Sequence, residues 1–270
     1  MIRKLKSSAV IASTALSENR VTVPDSLKMQ NYKCTLSYDG TDFHGWQRQP
    51  DKRTVQGILE DCLAKITQNK IHVTAAGRTD AGVHAQGQVA SFKARLSLDD
   101  EELFRALNSL LPQDVRVVSL TKIDPDFHAR KSASSKVYRY RICNSPLISP
   151  FLIRYVLHWP SPLNVFLMKE AASLFIREAD FTAFSSNRLL YPVRKVSRSE
   201  ISQKGDEIIY TVEANGFLRY MVRTMVGTLL EIGKGKVPPQ QVEEMFRRKK
   251  RSLASPTAPA KGLCLVRVNY

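Results

Sequence analysis

Segments in which apolar and polar residues alternate recur along the chain, and they restrict its fold more than any other feature. Tyr32, Cys34, Leu36 and Tyr38 are separated by Lys33, Thr35 and Ser37. Successive side chains of a strand point to opposite faces, so this is a strand with one buried side. The pattern returns in KVYRYRIC at 136–143, where Tyr138, Tyr140 and Ile142 share one face and Arg139 and Arg141 the other. It returns again in VRKVSRSEIS and EIIYTVEA, a hairpin joined by Lys204, Gly205 and Asp206. Further strands are expected at Ile71, Val73 and Ala75, at VASF 89–92, at VRVVSL 115–120 and in the terminal GLCLVRVN.

Between these runs the period changes to that of a helix. From Thr54, an N-cap residue, Val55, Ile58, Leu59, Cys62, Leu63 and Ile66 form one apolar stripe. Asp99 to Glu102 supply the acidic first turn of a second helix, with Leu103, Phe104, Leu107, Leu110 and Leu111 as its buried stripe and a stop at Pro112. The spacing predicts further helices near 163–176, from Phe217 to Ile232, and after Pro239 as an N1 residue. Strands and helices mix without strict alternation, which predicts an α+β fold of two similar halves. Each half is a mixed, largely antiparallel sheet backed by helices, with a basic central cleft between them. The expected division is an N-terminal extension at 1–28, an α+β domain at 29–130 carrying an aspartate loop, and a second at 131–270 that completes the cleft.

Charge points to the partner. Lys and Arg number 41 against 25 Asp and Glu, a formal net charge of +16. A polyanion, most commonly nucleic acid, suits such a chain, although a basic solvated surface has the same composition. The cations come from several segments: Arg139 and Arg141; Arg194, Lys195 and Arg198; and RRKKR at 247–251. Cys34, Cys62, Cys143 and Cys264 form no CxxC pair, which fits reduced thiols in the cytoplasm. Histidines at 44, 72, 84, 128 and 158 lack a compact ligand spacing, so no metal is expected. No apolar run is long enough to span a membrane. The N-terminus has the basic start of a signal peptide but an apolar run broken by Ser and Thr. A disordered extension, a start mis-assigned upstream of Met29, and a transit segment all remain open readings.

The stretch GRTDAGVHA at 77–85 is too broken for a helix or a strand. Its glycines permit a sharp turn or a close approach, which displays Asp80. Read alone, Asp80 is either a turn residue bonded to its own backbone or a catalyst. Hydrolysis of a glycoside calls for two carboxylates, and this loop has one. Covalent catalysis by a single aspartate needs no such partner.

GRTDAGVHA, with YDGTDFHGWQRQ before it and DFHAR (126–130), VYRYRI (137–142), NGFLRYMVR (215–223) and TAPAKGL (257–263) after it, resembles the TruA family of tRNA pseudouridine synthases. The motifs run in order from about Tyr32 to the C-terminus. The resemblance implies the pseudouridine synthase fold and a cytoplasmic isomerase that needs no cofactor. It would convert uridine to pseudouridine at positions 38, 39 and 40 of the tRNA anticodon stem-loop, as a homodimer binding one tRNA across both subunits.

The same resemblance makes Asp80 the catalytic carboxylate, attacking C1′ or removing the 2′ proton. It makes Arg223 the ion-pair partner of Asp80, where residue spacing alone also allows a basic helix flank shared with Arg219. Arg78 would hold the target nucleotide out of its stack, although a loop arginine could equally pair with Asp80. Tyr138, otherwise a core tyrosine, would pack against the flipped uracil, with Leu263 or Leu265 lining the pocket. Cys264 departs from the family pattern at a position that is often aromatic. A catalytically silent RNA-binding module on the same fold, and a glycosylase releasing uracil, are the rival readings.

Overall fold

The computed structural model describes residues 28–186 and 191–270. All but the last residue of the expected N-terminal extension lies outside them. The elements run β1 (Gln30–Tyr38), α1 (Val55–Thr67), β2 (Thr74–Ala75), β3 (His84–Ala94), α2 (Asp100–Leu110), β4 (Val115–Ile123), β5 (Ser135–Cys143), β6 (Leu157–His158), α3 (Val165–Ser173), β7 (Glu178–Asp180), β8 (Val193–Lys204), β9 (Glu207–Ala214), α4 (Met221–Gly233), α5 (Gln241–Arg248) and β10 (Leu263–Asn269).

The fold is α+β. Its sheet runs β4-β1-β3-β10-β5-β9-β8-β7, with β2 paired to β3 and β6 to β5. Antiparallel pairing dominates; β10 with β3 and β6 with β5 are parallel. The expected division near residue 130 falls in the connection between β4 and β5. Strand β10, from the end of the chain, lies between the β4-β1-β3 group and the β5-β9-β8-β7 group and makes one continuous sheet of them. In register, Leu265 faces Ala85 of β3 on one side and Tyr138 of β5 on the other.

The alternation seen in the sequence is the reason for these strands. Tyr32, Cys34, Leu36 and Tyr38 are buried, as are Tyr138, Tyr140 and Ile142. Tyr140 pairs across the ladder with Tyr210, and both rings are fully enclosed. Burying such a side chain contributes roughly 1.5–3 kcal/mol, so a register slip that exposed this face is excluded energetically. Helices α1 and α2 pack together near β4, and α3 lies against α4 and β8.

Local chemistry sets the helix ends. Thr54 accepts from the Gly57 amide at 3.3 Å, capping α1. Asp99 and Glu102 exchange bonds of 2.8 and 2.9 Å with each other's backbone amides, a capping box that starts α2.

Several expected boundaries shift. Leu110 is 44% exposed and leaves the α2 stripe, because the helix ends there and Leu111 turns inward instead. Only Thr74–Ala75 of the second expected strand pairs. The helix expected from Phe217 begins at Met221, because Tyr220 takes a left-handed φ of +62° that no helix accommodates. Leu218 is buried and Phe217 packs edge-on to Tyr138, so their apolar spacing reflects tertiary packing. Helix α5 starts at Gln241, two residues after Pro239, which therefore precedes the cap. Among the described residues no helix is long and apolar enough to cross a membrane.

Candidate active site

The GRTDAGVHA loop leads into β3 and is held in place from below. Gln88 on β3 donates to the Gly77 carbonyl at 2.7 Å, and the Tyr38 hydroxyl lies 2.8 Å from Thr79 Oγ1. The Trp46 amide donates to the Thr79 carbonyl at 3.0 Å. Gly45 makes that approach possible: its φ is +86°, and a Cβ there would lie 2.6 Å from the Thr79 oxygen. Beyond Asp80 the chain turns through Gly82, at φ +76°, and the Val83 amide donates to the Asp80 carbonyl at 3.1 Å. The backbone from Gly77 to Val83 is therefore bonded on both sides of Asp80. The network of Tyr38, Thr79 and Gln88 is not singled out by the sequence, where it reads as ordinary strand residues.

Asp80 meets Arg223. The Arg223 Nη1 donates to Asp80 Oδ2 at 3.2 Å, with the two side chains 16% and 26% exposed respectively. Arg223 lies in the first turn of α4, and its Nε donates to the Ala258 carbonyl at 2.8 Å. The Ala258 amide in turn donates to the Arg223 carbonyl at 3.0 Å. The TAPAKGL segment thus fixes the guanidinium. Tyr220, in its left-handed conformation, puts its ring about 5 Å from both the Arg219 and Arg223 guanidinium carbons, at 5.0 and 5.1 Å. A non-glycine residue at positive φ beside a charged pair is local strain located at the site.

Burial lifts the Asp80 carboxyl above the ordinary aspartate value, against the pull of the Arg223 charge and hydrogen bond and of the Arg219 charge. The two arginines thus oppose its neutralisation. Tyr138 lies within electrostatic reach of Asp80. Burial first, then the neighbouring Tyr38, Asp80 and Cys264, push its phenol far upward, so it remains protonated. The Tyr138 ring packs edge-on to Phe217 at 5.1 Å, opposite Leu265 in the ladder. Leu263 and Leu265 are buried in β10, the first opposite Tyr140 and the second between Tyr138 and Ala85.

Arg78 is exposed and carries no ion pair or side-chain hydrogen bond among the described residues, so Asp80 is the partner of Arg223 and not of its loop neighbour. The motif histidines have structural tasks. His84 Nδ1 accepts from the Gly40 amide at 3.0 Å and lies 3.2 Å from Asp39 Oδ1, while Nε2 lies 3.1 and 3.2 Å from the Arg154 and Lys261 carbonyls. His128 Nδ1 accepts from the Arg130 and Lys131 amides at 3.2 and 3.3 Å.

The structure also sorts the cations. In the run 247–251, Arg247 pairs with Glu244 at 2.7 Å, Arg248 pairs with the same carboxylate, and Lys249 reaches Asp180 at 3.2 Å. Arg141 pairs with Glu207 and Arg198 with Glu200. In contrast, Arg78, Arg130, Lys136, Arg194 and Arg219 have no carboxylate partner among the described residues. Arg219 acts on Asp80, Lys136 lies against Gly77, and Arg130 and Arg194 act on Lys136. These five cations cluster around the Asp80 loop, where an anionic polymer would meet them.

One carboxylate, one guanidinium held from two directions, a buried tyrosine and a rim of free cations now stand together. The chain belongs to the tRNA pseudouridine synthase family, whose model matches residues 35–130 and 171–270. Members of this family are isomerases. The chain is 44% identical over 254 residues to the tRNA pseudouridine synthase A of Thermodesulfovibrio yellowstonii, covering 90% of this chain and all of that one. It is 45% identical over 248 residues to the protein of the same name from Methylacidiphilum infernorum, covering 91% and 97%. A third relative of that name, from Moorella thermoacetica, is 44% identical over 242 residues, covering 88% and 98%.

Proposed function

We propose that this protein isomerises uridine to pseudouridine at positions 38, 39 and 40 of the tRNA anticodon stem-loop, with Asp80 as the catalytic carboxylate. The observation that carries this reading is the Asp80–Arg223 pair, a single carboxylate on a loop and a guanidinium from the other end of the chain, 3.2 Å apart. Target bases in a stem are stacked and must be turned out before their sugar can be reached, at a cost of a few kcal/mol. Arg78, exposed and unpaired, is free to hold the strand open. The buried Tyr138 ring offers a face for the extruded uracil.

These placements suit either of two routes. In the covalent route, a carboxylate oxygen of Asp80 attacks C1′ as the bond from C1′ to N1 breaks, and the electron pair leaves with the uracil anion. The uracil turns within the pocket and C5 displaces Asp80 from C1′. The proton on C5 is then lost and N1 is protonated. In the alternative route Asp80 removes the C2′ proton as the base leaves with the electron pair of its glycosidic bond; C5 then adds to C1′ of the resulting glycal while Asp80 returns the proton to C2′, and the C5 proton is lost as N1 is protonated. Both routes need Asp80 ionised, and Arg223 favours that state.

A homodimer acting in the cytoplasm completes the proposal. Between β5 and β6 the chain exposes Leu147, Phe151 and Ile153, with Phe151 88% accessible, an apolar patch suited to a second subunit. The four cysteines are unpaired thiols, which suits a reducing compartment.

The test is incubation of the purified protein alone with unmodified tRNA, followed by nucleoside analysis and mapping. Pseudouridine at 38–40 without added cofactor is expected. Unchanged uridine would support a silent RNA-binding module, and free uracil would support a glycosylase; either overturns the proposal. A monomer at micromolar concentration, by light scattering, would remove the dimer from it.

A further inference from the structure

Among the described residues Lys136 is the one buried lysine, and it lies beside the Asp80 loop in unusual surroundings. It is 8% exposed, and no hydrogen bond or ion pair of its ammonium group occurs among the described residues. Its stem lies against the loop: a Cβ on Gly77 would lie 3.4 Å from Lys136 Cε. It shares a face of β5 with Tyr138, two residues on, which puts the two side chains about 7 Å apart along the strand.

The charges that act on Lys136 are those of Arg130 and Arg194, both positive. Arg194 uses Nη1 on the Tyr191 and Val193 carbonyls, at 2.8 and 2.6 Å, and lies over Gly216, where a Cβ would be 3.4 Å from its Nε. Arg130 is exposed on the turn fixed by His128 and by the Ser91 hydroxyl, which accepts from the Ala129 amide at 3.1 Å. The carboxylate nearest in register, Glu213, is opposite Val137 and so belongs to the other face of the sheet, where it bonds Ser135 and Asn269. Asp80 is balanced by Arg223 and Arg219 and not by this group.

The Lys136 side chain is largely enclosed and the charges that act on it are of like sign, an arrangement that opposes folding and that proteins ordinarily relieve with a carboxylate. Here no carboxylate of the described residues fills that place, which leaves it open to an anion from outside. We propose that Lys136, Arg130 and Arg194 form a subsite for one backbone phosphodiester of the RNA, next to the nucleotide held between Asp80 and Tyr138. The inference rests on the proposed function for the identity of the RNA. A phosphodiester carries one charge and two free oxygens, which suits a point-charge ammonium from below and guanidinium groups from the rim. Gripping the backbone there holds the flipped nucleotide in register with the loop.

The test compares the wild-type protein with Lys136→Met, whose unbranched apolar stem fills the same space, and with Arg194→Gln. Equilibrium binding to unmodified tRNA is measured across a salt series. Each variant is expected to bind about tenfold more weakly or worse, as for loss of a charge-assisted hydrogen bond. The slope of log K against log salt should become shallower by ~0.7–0.9, the signature of one phosphate contact. KM should rise with kcat little changed, because the contact is present in the ground state and the transition state alike. The thermal midpoint of free Lys136→Met should be no lower than wild type, whereas a purely structural lysine would lower it.

Wild-type affinity and slope in both variants would overturn the subsite. If Lys136→Met fails to fold, Arg194→Gln alone decides by the same two readouts. If the wild-type protein binds tRNA without isomerising it, and the variants still lose slope, the proposed function falls and the subsite stands. If the wild type isomerises and the slopes are unchanged, the subsite falls alone.

Discussion

Arg223 reaches two ways at once, from Nη1 to Asp80 at 3.2 Å and from Nε to the Ala258 carbonyl at 2.8 Å. The second bond fixes the angle at which the first is offered. The guanidinium is therefore a positioned electrostatic partner whose geometry matters as well as its charge.

Arg223→Lys tests that distinction. The ammonium keeps the charge but cannot serve both acceptors with a rigid fork. Turnover is expected to fall by about one to two orders of magnitude, the equivalent of one hydrogen bond to a charged group. Near wild-type kcat in single-turnover assays would show that charge alone suffices.

Asp80→Asn keeps the shape of the side chain and removes its ability to act as an anionic nucleophile or base. Activity should drop by about 10³-fold or more, with tRNA affinity close to wild type. Burial raises the folded-state pKa of Asp80 above its unfolded value, so between the two values the folded state binds more protons and stability falls as pH rises. At neutral pH the ionised carboxylate works against folding, and the thermal midpoint of the Asn variant should be no lower than wild type. A marked loss of tRNA binding would reassign Asp80 to a structural role.

The pH profile carries the same signature. Activity needs the ionised form, so kcat/KM should decline on the acid side at a pH above the ordinary aspartate range. Arg223 pulls that pKa down, so in Arg223→Gln the acid limb should move to higher pH. Identical limbs in the two proteins would mean that another group controls the profile.

Gly45→Ala probes the support under the loop. The added methyl meets the Thr79 carbonyl, at 2.6 Å, in a backbone conformation that L residues rarely adopt. The strain is on the order of 1–3 kcal/mol, and it is relieved by displacing the residue next to Asp80. Both the thermal midpoint and turnover should fall, by scanning calorimetry and nucleoside analysis.

Arg78→Ala should separate binding from folding. The side chain is exposed and unpaired, so stability should stay within about 0.5 kcal/mol of wild type. The expected loss is in affinity for tRNA and in capture of the flipped base, read by binding titration and by fluorescence of a base analogue at the target position. Unaltered binding and flipping would place the extrusion contact elsewhere.

Much of the scaffold was legible along the chain because its signals are local. Period-two alternation wrote β1, β5, β8 and β9, and Thr54, Asp99 and Glu102 marked two helix starts through bonds spanning three residues. The GRTDAGVHA loop announced a displayed carboxylate through its glycines. The start of α4 was not legible, because Phe217 and Leu218 keep helical spacing while packing as loop residues, and only the φ of Tyr220 shows the break.

The site itself belongs to the tertiary structure. Asp80 and Arg223 are 143 residues apart, and nothing local to either sequence position sets their distance. Insertion of β10 between β3 and β5 aligns the Asp80 loop with Tyr138, and the packing of TAPAKGL on α4 aims Arg223. Folding likewise decides which cations are spent on carboxylates, as at 247–249, and which are left without one beside the Asp80 loop, as at Lys136. Composition determines the total charge. Only the folded arrangement sets how much of it is free to attract RNA, because Coulomb interactions depend on distance and burial and are indifferent to order along the chain.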